Sequence, residues 1–83
     1  MLFRSIGRDE LAIEHLEFAC RFHEDRRLLL WAAESHVCLA QVLTRRDESE
    51  RGREHAERSL ELARKHGYGT IEPRAVALLE GAL

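Results

Sequence analysis

Five histidines and two cysteines are the side chains of this chain that could bind a transition metal or act as nucleophiles. They are His15, His23, His36, His55, His66, Cys20 and Cys38. No two histidines lie four residues apart and neither H-E-x-x-H nor C-x-x-C occurs, so a metal site on one helix is not indicated. Histidines from different helices that converge with Cys20 or Cys38 are the less favoured alternative to histidines on helix surfaces or at helix ends. We therefore assign no metal-binding residue.

Two pairs, Cys38 with His36 and Cys20 with His23, could be considered as a nucleophile and its base. Residues two apart on a helix point to different faces, whereas residues three apart can meet. Neither pair comes with a group for an oxyanion hole or with a third residue that orients the histidine. We therefore predict no catalytic residue, no cofactor-binding residue and no enzymatic activity.

The composition is typical of a small helical chain. Its 83 residues are 45% hydrophobic and 34% charged, and one proline with five glycines favours long helices over a loop-rich β fold. The net charge of −2 does not favour binding to nucleic acid or to an anionic membrane. The longest apolar run, residues 28–33, is too short to span a bilayer, and there is no secretory signal. We expect one domain over residues 1–83 in a cytoplasmic protein.

Four helices are predicted from the spacing of apolar residues and from helix-end signals. They run over about residues 10–23, 27–46, 48–66 and 71–82. Residues 1–6 are interpreted as the end of a preceding helix, which Gly7 stops before Asp9 caps the first full helix. The second helix is apolar on nearly every side, which predicts burial between its neighbours, with Trp31 as the anchor of the core.

The start of the third helix carries two further signals. Asp47 and Glu50 have the spacing of a capping box, which would fix the first turn. Gly52 follows in the next turn and should weaken it, so fraying up to about residue 52 is expected.

A frame of a small, a large and a small residue occurs twice, 44 residues apart. Its members are Ala12, Leu16 and Ala19, and then Ala56, Leu60 and Ala63. Positions i, i+4 and i+7 share one helix face, and two alanines there allow a neighbouring helix to come close. Self-similarity at such a period is typical of stacked helical hairpins. We therefore predict an all-α fold in which antiparallel helical hairpins stack as a fragment of an α-solenoid.

The pattern His36-x2-Leu39-Ala40-x2-Leu43, followed by the second frame, resembles the tetratricopeptide repeat. The resemblance implies a TPR-like hairpin whose two helices cross at Ala40. It departs from the family in having His36 at the opening tryptophan, Ala40 at the glycine, and a period of 44 instead of about 34. The extra length is assigned to a longer first helix and to the connection over Arg45–Arg53.

The longer form resembles the carboxy-terminal helical repeats of large bacterial signalling ATPases and transcriptional regulators. Gly7–Glu10 and Leu60–Tyr68 carry this likeness. It implies a non-catalytic protein–protein interaction scaffold in bacterial signal transduction or transcription regulation. Its partner would be a protein or peptide, or neighbouring repeats of a longer chain, and we expect no membrane partner. No ATPase, cyclase or DNA-reading motif occurs, so those activities are not carried over.

A partner-binding groove along the first helices of the hairpins is a further implication of the family resemblance. On the second helix Glu34, Gln41 and Arg45, flanked by Val37, share one side. Ordinary helix polarity is the competing interpretation of these residues. A different function left open is a small helical regulator that contacts nucleic acid through the basic Arg45–Arg53 connection, with a strong salt dependence.

The predicted packing depends on both frames and on the second helix. The residues expected to pack are Ala12, Leu16, Ala19, Trp31, Ala33, Val37, Ala40, Leu43, Ala56, Leu60 and Ala63. Stacked hairpins bury their faces only against neighbours, so the apolar faces of Leu11–Phe22 and Ala75–Leu83 should be partly uncovered. Exposed apolar faces of this kind drive association, so we expect the isolated chain to self-associate.

Overall fold

A computed structural model describes the backbone of residues 2–81 and the side chains of residues 8–81. The helices are α1 (Leu2–Asp25), α2 (Leu29–Arg45), α3 (Ser49–His66) and α4 (Glu72–Gly81). There is no strand among the described residues, so the all-α prediction is confirmed. Within the same residues, none of the helices has both the length and the apolar character that crossing a membrane requires.

The three connections between helices share one turn geometry. Each contains a residue in the left-handed region, with φ of 58° at Arg27, 67° at Asp47 and 76° at Gly67. The next residue donates its backbone N–H to the carbonyl five residues before it, which is the Schellman arrangement at a helix C-terminus. These bonds, each 2.8 Å long, run from Leu28 to His23, from Glu48 to Leu43 and from Tyr68 to Ala63. The turns therefore recur every 20 residues.

This turn interval shows that the repeated frame does not mark equivalent positions of two hairpins. Ala12 lies 15 residues before Arg27, whereas Ala56 lies 11 residues before Gly67. The difference of four residues is about one helical turn. The two frames therefore lie on a similar face of their helices but at different distances from the turn that follows. The alanines of the second frame are buried, but Ala12 and its partner Ala19 are only half-buried.

The first helix is longer than predicted. α1 continues through Gly7 and Asp9 without a break, so the boundary placed there and the separate segment over residues 1–6 are wrong. Glycine costs a helix interior only about 1 kcal/mol relative to alanine, which the remaining turns can offset. The carboxylate of Asp9 forms an ion pair with Arg45 of α2 at 3.2 Å, so Asp9 has a partner for its charge although it does not cap a helix. Met1 lies outside the described residues.

The start of α3 also differs from the prediction. Glu48 is the N-cap and makes no side-chain cap bond, while Asp47 occupies the left-handed position of the turn. Gly52 is buried and helical instead of frayed, and a Cβ there would lie 2.7 Å from Thr44 Oγ1 and 3.2 Å from the backbone oxygen of Ala40. The glycine therefore lets α3 approach α2 closely, which the local helix propensity did not indicate.

The core surrounds α2, which packs against α1, α3 and α4. One cluster joins α2 to α3 and α4, and its buried members are Ala32, Ala33, Val37, Leu62, Ala63, Ile71 and Ala75. A second cluster joins α2 to α1 through Cys20, Leu39 and Leu43, with Ile13 and Leu16 packed against it. The predicted burial of Ala33, Val37, Ala40 and Leu43 between neighbouring helices is therefore confirmed. Leu16 and Leu60 pack at the edges of these clusters and are half-buried.

The predicted burial of Trp31 is wrong, because its side chain is 59% exposed. Trp31 lies two residues before Ala33, which places it about 200° around the helix from that buried position. Because Ala33 faces α3 and α4, Trp31 on the opposite side of α2 points away from the core. Its ring lies 6.4 Å from that of His23, at the end of α1.

Gly67→Ala should lower the free energy of unfolding by about 1–2 kcal/mol, because a Cβ is disfavoured in the left-handed conformation that Gly67 adopts. Gly69→Ala is the matched control, since Gly69 has no positive φ and open space at its Cβ. Urea unfolding followed by far-UV circular dichroism measures both. Equal losses in the two variants would contradict a left-handed cap at Gly67.

Candidate functional site

A polar cleft lies between α1 and α3, across α2, and has a volume of about 360 Å³. Its lining residues are Glu17, Cys20, Arg21, Glu24, Asp25, His36 and His55. Each of the three helices contributes to it, α1 with most of the charged groups and α2 and α3 with one histidine each. We call Cys20, His36 and His55 the Cys-His cluster.

The Cys-His cluster brings three ligand-type atoms together. Sγ of Cys20 lies 3.5 Å from Nδ1 of His36, and Nδ1 of His55 lies 2.9 Å from the same nitrogen. All three atoms lie within 4.8 Å of one another. The two imidazole rings are stacked, with centroids 5.1 Å apart. Cys20 and His36 are buried and His55 is half-buried, so the cluster opens towards the cleft from the α3 side.

The second ring nitrogen of His36 contacts a carboxylate, which is in turn bound by an arginine. Nε2 of His36 is 2.5 Å from Oε2 of Glu24, and Arg58 of α3 donates to both oxygens of Glu24 at 3.2 and 3.3 Å. Burial acts to raise the pKa of Glu24, but hydrogen bonds from Arg58 and His36 outweigh burial. The pKa of Glu24 therefore lies below its usual value, and the carboxyl is ionised. An ionised Glu24 only accepts, so Nε2 of His36 carries a proton and donates it to this carboxylate, while Nδ1 faces the cluster.

The protonation of the cluster disfavours nucleophilic catalysis. Burial raises the pKa of the Cys20 thiol to about 12, with further increases from the negative charges of Glu24 and Glu17. The thiolate is the reactive form of cysteine, so a neutral Cys20 is a poor nucleophile. Burial, and after it His36, lower the pKa of His55, which keeps that imidazole neutral. The thiolate is also the form of cysteine that binds a metal, so either role of Cys20 requires the loss of its proton.

Sequence spacing gave a weak signal for this cluster. Its members are 16 and 19 residues apart, so no short motif contains them. Convergence of histidines from different helices with Cys20 was the less favoured alternative, and the structure brings together His36 and His55 in that way. Residues at similar distances on either side of a turn lie opposite each other in a helical hairpin. The 20-residue turn interval is the signal that places these three residues on neighbouring helices at similar distances from the turns.

The residues predicted to line a partner groove do not meet at this cleft. Glu34 makes an ion pair with α4 at 2.9 Å, and Arg45 makes one with α1 at 3.2 Å. Gln41 is exposed, whereas Val37 is fully buried in the core. Val37 therefore cannot line an open groove, and partner binding at the other three stays a prediction.

A second candidate site is an aromatic surface, which we define as Phe18, Phe22, His23 and Trp31. Consecutive rings in this series have centroids 5.8, 5.7 and 6.4 Å apart. The guanidinium of Arg26 lies 3.9 Å from the centroid of Phe22, a cation–π contact. Phe18 and Trp31 are 60% and 59% exposed, so much of this aromatic area faces solvent.

The exposure of α1 agrees with the prediction that its apolar face is partly uncovered. Leu11 is 57% exposed and lies seven residues before Phe18, so both share one side of the helix. On α4, Val76, Leu78 and Leu79 are half-buried, and Leu83 lies outside the described residues. The larger uncovered apolar area is therefore on α1 and at the start of α2.

Comparisons of the chain with models of known protein families, with curated proteins and with solved structures gave no match. The all-helical fold is established by the structure itself. The TPR-like stacking, and the scaffold function that it implies, stay predictions.

Proposed function

We propose that this chain is a non-catalytic protein-interaction segment of helical hairpins, which binds an apolar helix of a protein partner through the aromatic surface. The observation that carries the proposal is the exposure of Phe18 and Trp31, at 60% and 59%, at the two ends of a continuous series of rings. Grouped apolar side chains at a surface mark interaction sites, and aromatic residues dominate the energetics of such sites.

The arrangement of the helices supports a stacked architecture. α1 with α2 and α3 with α4 form two hairpins whose turns are 40 residues apart. In stacked hairpins each unit covers the apolar face of its neighbour. α1 packs on α2 with one side and leaves Leu11 and Phe18 uncovered on another, which is the kind of face that a further hairpin or a partner helix would cover.

The charges around the aromatic surface suggest the chemistry of the partner. Arg26 and Arg27 are exposed at the turn that follows α1, and Arg26 stacks on Phe22. A partner helix with an apolar stripe and carboxylates near one end would meet both features. The resemblance noted above adds a setting, a larger bacterial protein of signal transduction or transcription regulation.

The alternative of a nucleic-acid regulator has less support from the geometry. Of the basic residues over Arg45–Arg53, Arg45 is paired with a carboxylate of α1, and Arg51 is paired with Glu17 and Glu48. A phosphate would have to compete with carboxylates that already occupy these guanidinium groups. The range Arg45–Arg53 is also not a long connection. α2 ends at Arg45 and α3 begins four residues later, so most of this range is helical.

The isolated chain is expected to self-associate through the aromatic surface, because a second copy is then the available apolar partner. Sedimentation velocity over a range of concentrations measures the association, and the emission of the single tryptophan, Trp31, should shift to shorter wavelength as it is covered. Phe18→Ser or Trp31→Ser should weaken association about tenfold or more, since truncation of a central aromatic commonly costs about 2 kcal/mol. Ala77→Ser, on the exposed side of α4, should leave it unchanged.

A chain that stays monomeric at every concentration, with unshifted Trp31 emission, would contradict this use of the aromatic surface. Association that persists in Phe18→Ser and Trp31→Ser would assign it to another surface. Glu34→Arg and Arg45→Glu distinguish the groove predicted on α2, because their effect on association should be small if the aromatic surface is the site.

A further inference from the structure

Two of the three separations within the Cys-His cluster are close to those of a tetrahedral metal site. Zinc is bound by imidazole nitrogen at about 2.0–2.1 Å and by cysteine sulfur at about 2.3 Å, which puts two nitrogens about 3.3 Å apart and sulfur about 3.6 Å from nitrogen. The structure has 2.9 Å between the two Nδ1 atoms and 3.5 Å between Sγ and Nδ1 of His36. The third separation, between Sγ of Cys20 and Nδ1 of His55, is no more than 4.8 Å, so side-chain adjustment would bring the three atoms into one coordination sphere.

The 2.9 Å contact between the two imidazoles is a hydrogen bond in which one Nδ1 donates to the other, and it keeps two possible metal ligands side by side. With the ring's one proton on Nε2, where it is donated to Glu24, Nδ1 of His36 presents a lone pair. Nδ1 of His55 faces the same nitrogen and the same sulfur. When the Nδ1 proton of His55 moves to its own Nε2, a cation between the rings would accept both nitrogen lone pairs and the sulfur at once, which is the usual arrangement of neutral imidazoles around a metal.

The outer contacts of His36 have the form that metal-binding histidines usually show. A ligating histidine commonly donates its other ring N–H to a carboxylate, which fixes the tautomer and raises the basicity of the ligating nitrogen. Glu24 supplies that carboxylate, and Arg58 fixes Glu24 through both of its oxygens. This contact is independent of the distances within the cluster and points to the same ligand.

The charges in and around the cleft balance, so the type of ligand atom selects the ion. Its lining contains three carboxylates, Glu17, Glu24 and Asp25, against one guanidinium, Arg21. Arg51 and Arg58 reduce this negative charge from the α3 side by pairing with Glu17 and Glu24. The ligand atoms of the site, one sulfur and two nitrogens, suit a late first-row divalent ion better than magnesium or calcium, which prefer oxygen.

We propose that Sγ of Cys20, Nδ1 of His36 and Nδ1 of His55 bind a divalent transition-metal ion of the zinc type, with Glu24 as the outer carboxylate of His36. Binding converts the Cys20 thiol to a metal thiolate and releases one proton to solvent, so charge and atoms balance. The fourth position faces the cleft, where a water molecule or a side chain of a partner can occupy it. The ion would join α1, α2 and α3 at one point, independently of the aromatic surface.

Titration of the reduced full-length chain with Co²⁺ tests the proposal, because cobalt replaces zinc and reports its ligands in its absorption spectrum. We expect one equivalent of Co²⁺ to produce a thiolate-to-cobalt charge-transfer band and intense visible bands of a tetrahedral ion. Zn²⁺ should then displace cobalt, abolish both bands and raise the Tm. Far-UV circular dichroism of each variant shows whether it is folded before metal is added.

Matched variants locate the site. Cys20→Ser should abolish the charge-transfer band and the rise in Tm, whereas Cys38→Ser should retain both, since Cys38 contacts Glu34 and Arg74 outside the cluster. His55→Gln should weaken binding strongly, and His66→Gln, on an exposed histidine, should not. Glu24→Gln should weaken affinity about 10- to 100-fold without loss of the charge-transfer band, as expected of an outer contact.

Several outcomes would overturn the proposal. One is a wild-type chain that binds no cobalt, or binds it with no charge-transfer band. Another is a folded Cys20→Ser chain that retains the spectrum, or a spectrum that Cys38→Ser removes. If Cys20→Ser does not fold, His55→Gln decides, because a folded His55→Gln chain with unchanged cobalt affinity would also exclude the site.

Discussion

Leu43→Ala is expected to lower the free energy of unfolding by about 2–5 kcal/mol, the range for a buried leucine replaced by alanine. Leu43 is fully buried and joins α2 to α1 together with Leu39 and Cys20. The substitution removes apolar contacts and leaves a cavity between two helices that this small core cannot readily fill. A domain of this size has a few kcal/mol of stability, so the variant should be largely unfolded in mild urea.

Leu30→Ala is the matched control, because it makes the same change on the same helix at a residue that is 46% exposed. It should cost about 1 kcal/mol or less, as surface substitutions usually do. Urea unfolding followed by far-UV circular dichroism is the suitable measurement, since the exposed Trp31 is an insensitive fluorescence probe of the core. Similar losses in the two variants would contradict the packing of α1 on α2 described here.

Ala40→Leu is expected to cost about 1–3 kcal/mol, because it adds three carbons where there is no space for them. Ala40 is fully buried, and its backbone oxygen would lie only 3.2 Å from a Cβ on Gly52. This contact marks a close approach of α2 and α3. A leucine there must adopt a strained rotamer or separate the two helices.

Ala77→Leu controls for the larger side chain, because Ala77 is exposed on α4, and it should change stability by less than about 0.5 kcal/mol. The thermal midpoint and the urea midpoint of both variants should be measured. An unchanged midpoint in Ala40→Leu would show that the helices do not cross tightly at this residue. A reduced loss when Ala40→Leu is combined with a smaller residue at Thr44 would support the crossing, since neighbouring substitutions are not additive.

The parts of the fold that were predictable from the sequence depend on local interactions. Apolar periodicity identified α2, α3 and α4 to within a few residues, because the 3.6-residue period determines which side chains share a face. Gly67 was recognised as a left-handed cap because glycine alone carries no penalty there. The burial of Ala40 was expected because the family resemblance implies a helix crossing there and because the second helix is apolar on nearly every side. Each of these depends on neighbours within a few residues.

The parts that were not predictable depend on which helix faces which. Trp31 has a large apolar side chain of the kind that usually lies in a core. It is nevertheless exposed, because it lies on the side of α2 that faces away from α3 and α4. Gly52 has a poor helix propensity, yet it is needed where α3 approaches α2. The repeated frame recurs after 44 residues, whereas equivalent turns recur after 40. The difference of four residues is about one helical turn, which leaves a residue on the same helix face, so the frame predicted the face correctly but not the position of the turns.

The chemistry of the candidate site was decided in the same way by tertiary structure. The sequence by itself determined that histidines and cysteines lie on several helices, and that no short motif joins them. Only the packing of α1 and α3 on α2 placed Cys20, His36 and His55 within 4.8 Å of one another. Sequence periodicity records which side of its own helix a residue occupies, whereas convergence depends on the rotation and height of three helices. Those are set by the contacts between helices in the folded chain.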